Sequence, residues 1–172
     1  MKRLSRVGVA VVTLALISSS SPQRVLAVPN IFSAHLRGGE VVPETQSHAT
    51  GQAKFTLDAE GTVLQYRINV SNIENIVQAS LHLGMPGENG EAVAILYGPE
   101  PAGGGKKTGI FTAGTITQAN LVGSLSGRPL EDLISAMKEG RTYVVVSTND
   151  GAGTVEKKPG DYPDGEIRGQ VR

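Results

Sequence analysis

The residues best suited to chemistry in this sequence lie between positions 79 and 96, where a histidine precedes a glycine-rich turn. Apolar and polar residues alternate from Ala79 to Leu83, which is the pattern of a half-buried strand with Ser80 and His82 on the same face. Residues 84–90 contain Pro-Gly and Asn-Gly pairs that favour tight turns, and a second β pattern follows at residues 93–96. His82 therefore lies in a predicted hairpin, close to its turn.

An imidazole in this position is a candidate ligand for copper or zinc. Such sites usually need three or more nitrogen or carboxylate ligands on a preformed frame, and the three histidines of the chain are His35, His48 and His82. His35 and His82 meet if the first predicted strand neighbours the strand of His82, with Glu40 or Glu88 nearby. The alternative is a histidine hydrogen-bonded to the backbone of the turn. We favour this alternative and predict no metal and no other cofactor.

The last predicted loop concentrates carboxylates, whose hard oxygen atoms are the ligands that calcium prefers. Their spacing does not match the regular EF-hand calcium loop. We therefore interpret them as solvated loop charges and keep a calcium-stabilised adhesive domain as an alternative function. The carboxylates are those of Asp150, Glu156, Asp161, Asp164 and Glu166.

Glu40 and Arg168 form a third candidate group, one near each end of the predicted domain. The planar guanidinium of arginine suits a bidentate bond to a carboxylate. Our hypothesis is that the first and last strands lie side by side and that Arg168 binds Glu40 or Glu166. Such a bond would hold the first and last strands together and so close the sandwich, which is a structural role rather than a catalytic one.

No arrangement typical of an enzyme accompanies these groups. Ser47 and His48 are neighbours in sequence without an orienting acid, and the chain has no Gly-x-Ser-x-Gly turn, phosphate loop or nucleotide fingerprint. The sequence therefore favours a protein that is not an enzyme.

The elements that must position these residues are mostly short strands. Alternating segments with a turn about every ten residues predict eight or nine strands, and hence an all-β, antiparallel Greek-key β-sandwich. Leu121–Leu125 is predicted as one of the strands and Gly98–Gly109 as an exposed loop. The β-branched run Thr142–Thr148 predicts a strand covered on both faces.

One helix interrupts this β pattern, near residues 129–139. Four apolar residues have helical spacing, Pro129 suits the first position of a helix, and Gly140 suits its end. The four apolar residues are Leu130, Leu133, Ile134 and Met137.

The amino terminus resembles a transport signal, with basic residues before an apolar run of about eleven residues. A span of about twenty residues is needed to cross a bilayer, so we predict a cleaved signal peptide over residues 1–27 and a single domain over residues 28–172. Cleavage removes four basic residues and no acid, leaving 12 basic and 16 acidic side chains and a net charge of about −4. This acidic balance argues against nucleic acid or an anionic membrane as a partner.

The chain contains no cysteine, which excludes disulfides, thiolate metal sites and a catalytic thiol. An exported chain without cysteine is typical of a bacterial protein of the periplasm or the medium. We therefore expect an exported, periplasmic or extracellular domain without a membrane span.

Several segments in order resemble the CHRD domain, which takes its name from chordin. The match runs from about Phe32 to the last residue. The segments are Leu36–Pro43, Leu64–Tyr66, Leu81–Gly84, Gly87–Gly90, Leu130–Leu133, Tyr143–Val146 and Gly165–Val171.

The resemblance implies an extracellular β-sandwich, which in animals is part of a secreted growth-factor antagonist. Family members are not known as enzymes. Two positions depart from the family pattern, because Ser80 and Ser147 stand where histidines are usual. We refer below to the signature residues, for which the resemblance implies structural roles: Glu40, Pro43, His82, Gly84, Gly87, Gly90, Tyr143, Gly165, Glu166, Arg168, Gly169 and Gln170.

Taken together, these features predict a non-catalytic module that binds a protein or an extracellular polymer, or that has a structural role in the envelope or matrix. The alternatives are a copper- or zinc-dependent oxidoreductase resembling superoxide dismutase and the calcium-stabilised adhesive domain. The candidate metal ligands are His35 and His82.

Overall fold

The computed structural model describes residues 31–172, which form one antiparallel sheet of eight strands in the order β5-β4-β7-β8-β1-β2-β3-β6. The predicted signal peptide, residues 1–27, lies outside the described residues. The strands are β1 (Ile31–Arg37), β2 (Thr50–Leu57), β3 (Leu64–Glu74), β4 (Ile76–Leu83), β5 (Ala92–Tyr97), β6 (Lys106–Ile116), β7 (Thr142–Thr148) and β8 (Ile167–Gln170).

The two edge strands of this sheet, β5 and β6, meet through side chains, so the sheet closes into a flattened barrel. The hydroxyl of Thr112 on β6 donates a hydrogen bond to the carbonyl oxygen of Leu96 on β5 at 3.4 Å, and Tyr66 on β3 donates to the same oxygen at 2.6 Å. The rings of Tyr97 and Phe111 are in edge-to-face contact with centroids 4.4 Å apart. β7 lies beside β4, and β6 lies beside β3, which is Greek-key connectivity. The predicted all-β Greek-key architecture with one helix is confirmed.

Asn75 carries the chain from β3 to β4, which lie in different parts of the sheet. It is the single residue between the two strands, and its φ of 56° is the left-handed conformation that asparagine tolerates. Its side chain donates to the carbonyl oxygen of Gly160 at 3.3 Å and accepts from the amide of Gly105 at 3.1 Å. Asn75 thereby joins two long loops to the strand crossing.

The predicted strand Leu121–Leu125 is wrong. This segment makes one isolated bridge, between Leu121 and Ala94, and then forms a short 3-10 turn over Gly123–Leu125. Gly123 has a φ of 58°, which ends an extended conformation. Leu121 and Leu125 are buried and complete the core beside β5.

The predicted loop Gly98–Gly109 is shorter than expected, because β6 already begins at Lys106. β3 continues past Val70 and pairs there with the start of β6, with a register shift between Val70 and Ile73. The glycines before Lys106 lie in the loop, whereas β3 holds Gly109 in the ladder opposite Val70.

The predicted helix is confirmed as α1 (Leu130–Lys138), which follows Pro129 at its N-cap. Its apolar residues Leu130, Leu133, Ile134 and Met137 are all buried in the core. None of the helices formed by residues 31–172 is long and apolar enough to cross a membrane.

β7 is covered on both faces, as its β-branched sequence predicts. Val144 and Val146 belong to the hydrophobic core. Tyr143 and Val145 point to the opposite face because side chains alternate along a strand, and they are also buried. Further residues therefore cover the outer face of β7, and several signature residues lie on this side of the sheet.

Candidate functional site

The outer face of three adjacent strands, β4, β7 and β8, carries a layer of mostly polar and aromatic side chains. The strand register places His82 opposite Tyr143, and Arg168 opposite Val145. The imidazole of His82 stacks on the phenol ring with centroids 5.1 Å apart and planes inclined by 20°. The guanidinium carbon of Arg168 lies 3.6 Å from the centroid of the same ring, at cation–π distance. We call Ser80, His82, Tyr143, Val145, Arg168 and Gln170 the outer layer.

Gly90 connects the turn at residues 84–90 to the outer layer. Its amide donates to the Tyr143 hydroxyl at 2.8 Å. Its carbonyl oxygen accepts from the Tyr143 hydroxyl at 3.2 Å and from the imidazole of His82 at 2.9 Å. A Cβ atom at position 90 would lie 1.7 Å from the carbonyl oxygen of Leu83. Only glycine therefore allows this approach of the backbone.

Both ring nitrogens of His82 are engaged within the protein. Because the carbonyl oxygen of Gly90 can only accept, Nδ1 carries the proton and Nε2 accepts from the hydroxyl of Ser80 at 2.8 Å. Burial lowers the pKa of His82 most strongly, and the charge of Arg168 also lowers it, whereas the bond to Gly90 raises it. The lowered pKa favours the neutral imidazole, and in this tautomer the lone pair of Nε2 faces the hydroxyl of Ser80.

Arg168 and Gln170 hold the same turn from β8. The guanidinium donates to the side-chain oxygen of Asn89 at 3.2 Å and to the carbonyl oxygen of Met85 at 3.1 Å. The amide of Gln170 donates to the carbonyl oxygens of Gly84 at 2.9 Å and Gly140 at 2.7 Å. Four polar side chains from three strands thus fix a turn that has no regular secondary structure.

Glu166 forms a second polar centre just before β8, and its side chain is fully buried. One carboxylate oxygen accepts from the Ser47 hydroxyl at 2.5 Å. The other accepts from the Thr148 hydroxyl at 2.6 Å and from the amide of Gly160 at 2.9 Å. The Glu166 carbonyl oxygen accepts from Thr45 at 2.8 Å. This residue therefore joins the segment after β1 to the loop between β7 and β8.

Between these two centres lies a groove of about 430 Å³. Its walls are two loops, residues 41–45 and residues 155–165, and the outer layer contributes His82, Tyr143, Val145 and Arg168. The volume lies within the range of about 300–1,000 Å³ that is typical of ligand sites. The groove is the place where separate signature segments converge.

The CHRD domain family model matches residues 32–171. This chain belongs to the CHRD domain family. The match covers almost the whole described region and confirms the family inferred from the sequence. No curated protein matches the chain.

In this CHRD domain, the structure contradicts the predicted bond between Arg168 and either Glu40 or Glu166. β1 and β8 are neighbours, as expected, with Arg37 opposite Arg168. Glu40, however, pairs with Arg37 at 2.5 Å, because the short turn after β1 returns it toward that residue. The side-chain hydrogen bonds of Arg168 within residues 31–172 go instead to the 84–90 turn.

The condition under which His35 and His82 would meet is not fulfilled. β7 and β8 separate β1 from β4 in the sheet, so the two histidines lie on strands that are not neighbours. Within residues 31–172, no group of three or more histidine, aspartate or glutamate side chains could hold a metal ion.

The acidic loop is only partly the solvated charge that we expected. Glu156 and Asp164 are exposed, whereas Asp161 is 2 % exposed and Glu166 is 0 % exposed. Asp161 accepts a hydrogen bond from the amide of Glu156 at 2.5 Å. Two of the five carboxylates are therefore internal hydrogen-bond acceptors of the loop.

The remaining signature residues lie around the groove or at close backbone contacts. Pro43 and Gly165 line the groove, and Gly87 has a φ of 83° in the exposed 84–90 turn. A Cβ atom on Gly169 would lie 2.2 Å from the carbonyl oxygen of His35. This glycine therefore allows β8 to approach β1.

Sequence reasoning missed the partners that complete the site. Ser47, Thr148 and Asn89 are hydrogen-bonded to residues that are distant in sequence, so no local pattern reveals them. For Ser80 a signal existed, because the alternation of β4 already places it on the same face as His82.

Proposed function

We propose that this CHRD domain is an exported, non-catalytic module that binds a protein partner through the groove. The observation that carries the proposal is that signature residues converge on one groove. The imidazole of His82, the hydroxyl of Tyr143 and the carboxylate of Glu166 are already hydrogen-bonded within the domain. In this proposal the signal peptide over residues 1–27 is removed and residues 28–172 act in the periplasm or outside the cell.

The hydrogen bonding of the site supports a role in binding rather than in catalysis. A general base needs a free lone pair within reach of a substrate, and the lone pair of His82 is taken by Ser80. The Tyr143 hydroxyl both donates to and accepts from Gly90. The buried carboxylate of Glu166 receives three hydrogen bonds. These groups rigidify the loops around the groove, and rigid loops lower the entropic cost of binding.

Site-specific photo-crosslinking in the producing cells tests this proposal. A photoreactive residue is introduced at Val155, which is 55 % exposed on the groove, and at Ile110, which is 63 % exposed on β6, as the matched control. We expect a discrete protein adduct from position 155 and none from position 110. Equal adducts from both positions, or none from position 155, would refute binding through the groove.

The compartment is tested separately by mass spectrometry of the cell fractions. We expect the periplasm or the medium to contain a chain that begins at Val28. A full-length chain in the cytoplasm would contradict export without bearing on the crosslinking result.

A further inference from the structure

Arg168 is a buried cation without a carboxylate partner in the part of the chain that the structure describes. Its residue is only 2 % exposed, and its hydrogen-bond acceptors, on Asn89 and Met85, are both uncharged. The ion-paired arginines of residues 31–172 are instead surface residues, such as Arg128, which binds Asp132 at 2.6 Å. Against the larger effect of burial, the charge of Glu40 raises the pKa of Arg168 from a distance. The Glu40 carboxylate is bonded to Arg37, however, so the direct contacts of the Arg168 guanidinium are with uncharged acceptors and the ring of Tyr143.

This arrangement is costly for the isolated domain. A buried charge is normally paired, because its hydration is lost on folding. Burial lowers the pKa of Arg168, because the loss of hydration disfavours the charged form of the guanidinium. The guanidinium carries five N–H donors, whereas one bond from each terminal nitrogen is made within the domain. Donors therefore remain for an anion, and Arg168 lines the groove.

The other residues of the groove indicate what kind of anion fits. Val41, Val42 and Val155 provide apolar walls, and Lys157 adds a second cation. A carboxylate flanked by apolar groups would meet both features, whereas a small free acid would leave the valines without a partner. Short extended polypeptides offer such an alternation, because successive side chains point to opposite sides.

Two carboxylates, those of Glu44 and Asp164, also line the groove. Both residues are exposed, so water and salt screen their repulsion of an acidic ligand. Arg168 is buried, and its field is screened much less. Among the charged side chains that line the groove, the buried Arg168 therefore acts most strongly on a charged ligand, although the domain as a whole is acidic.

We propose, on the basis of the proposed function, that the groove binds an acidic segment of an extended polypeptide. One carboxylate of the ligand accepts hydrogen bonds from Arg168, and its apolar neighbours pack on Val41, Val42 and Val155. Arg168 then has a directly bonded carboxylate, which residues 31–172 do not supply.

Calorimetric titration of the domain over residues 28–172 with two peptides tests this proposal. The peptides are acetyl-Val-Glu-Val-amide and acetyl-Val-Gln-Val-amide, which differ only in the charge of the central residue, and succinate is the third probe. We expect the glutamate peptide to bind at least about ten-fold more tightly than the glutamine peptide, and more tightly than succinate. Equal affinities for the two peptides, or no binding of either, would overturn the proposal. Tighter binding of succinate than of the glutamate peptide would show that the groove does not bind a polypeptide segment.

Variants at Val155 locate the binding site without disturbing the hydrogen bonds of Arg168. Val155→Asp places a negative charge at the groove, and Val155→Asn is its uncharged control of similar size. We expect the aspartate variant to bind the glutamate peptide several-fold more weakly than the asparagine variant. Identical affinities would show that the carboxylate binds elsewhere.

Arg168→Lys provides a second test, because it keeps the charge but removes the planar fork. We expect it to lose most of the discrimination between the two peptides while its circular dichroism spectrum stays that of the folded domain. If position 155 gave a groove-specific crosslink but the wild-type domain did not discriminate between the two peptides, binding through the groove would stand. Only the inference that the groove binds an acidic segment would be refuted.

Discussion

Glu166→Gln replaces one oxygen of the buried carboxylate by an amide nitrogen, with almost no change in volume. The carboxylate receives three hydrogen bonds, from Ser47, Thr148 and the amide of Gly160. The backbone amide can only donate, so the new nitrogen must face Ser47, whose hydroxyl can rotate to accept. The variant therefore retains the fold and loses the charge.

The cost follows from the difference between charged and neutral hydrogen bonds. A hydrogen bond to a charged group contributes about 1.5–3 kcal/mol and a neutral one about 0.5–1.5 kcal/mol. Because two bonds become neutral and the bond from Ser47 must reverse, we expect a loss of about 2–3 kcal/mol in the free energy of unfolding. For a domain of this size, that corresponds to a decrease of about 6–10 °C in Tm.

Urea unfolding at pH 7, followed by circular dichroism, measures this loss as a shift in the midpoint at constant slope. Asp164→Asn is the matched control, because it makes the same type of change at an exposed carboxylate two residues away. We expect the control to change stability by less than about 0.5 kcal/mol. If Glu166→Gln were as stable as this control, the carboxylate would not be the centre that joins the loops.

Three further predictions concern the outer layer and the strand contacts. Gly169→Ala should lower the free energy of unfolding by about 2 kcal/mol or more, because its Cβ would lie 2.2 Å from a backbone oxygen of β1. In the control Gly39→Ala, the added Cβ has no non-neighbouring atom within 4 Å, so stability should hardly change. Thermal melts compare the two variants. A double-mutant cycle of Tyr143→Leu and Arg168→Met should give a coupling energy of about 1–2 kcal/mol in urea unfolding, and strictly additive losses would exclude the cation–π contact. The pKa of His82 is lowered from 6.5 in the folded state, so as the pH falls the unfolded chain takes up the proton first. Stability should therefore decrease as the pH falls below about 6.5. A His82→Asn variant whose Tm fell as much between pH 7.5 and pH 5.5 as that of the wild type would contradict this.

The strands and the helix could be predicted from the sequence because their signals are local. Alternation along residues 31–37 or 64–70 fixes which side chains share a face, and the spacing of Leu130, Leu133, Ile134 and Met137 fixes the helix. Leu121–Leu125 shows the limit of this reasoning. Its apolar residues are buried as in a strand, but its neighbours in space give it only one bridge.

The chemistry of the site depended on contacts that no local pattern encodes. The sequence by itself determined the family, the strands that carry the signature residues and the shared face of Ser80 and His82. Only the tertiary structure decided the partners of Arg168, which lie 79 and 83 residues away, and the bond from Ser47 to Glu166 across 119 residues. From the sequence alone, opposite charge suggests that Arg168 pairs with Glu40 or Glu166. In the folded barrel, Arg168 instead contacts the 84–90 turn, and the hydroxyls of Ser47 and Thr148 bind Glu166. The order of the strands in the closed sheet therefore assigned each charged group its partner, and it left Arg168 facing a groove.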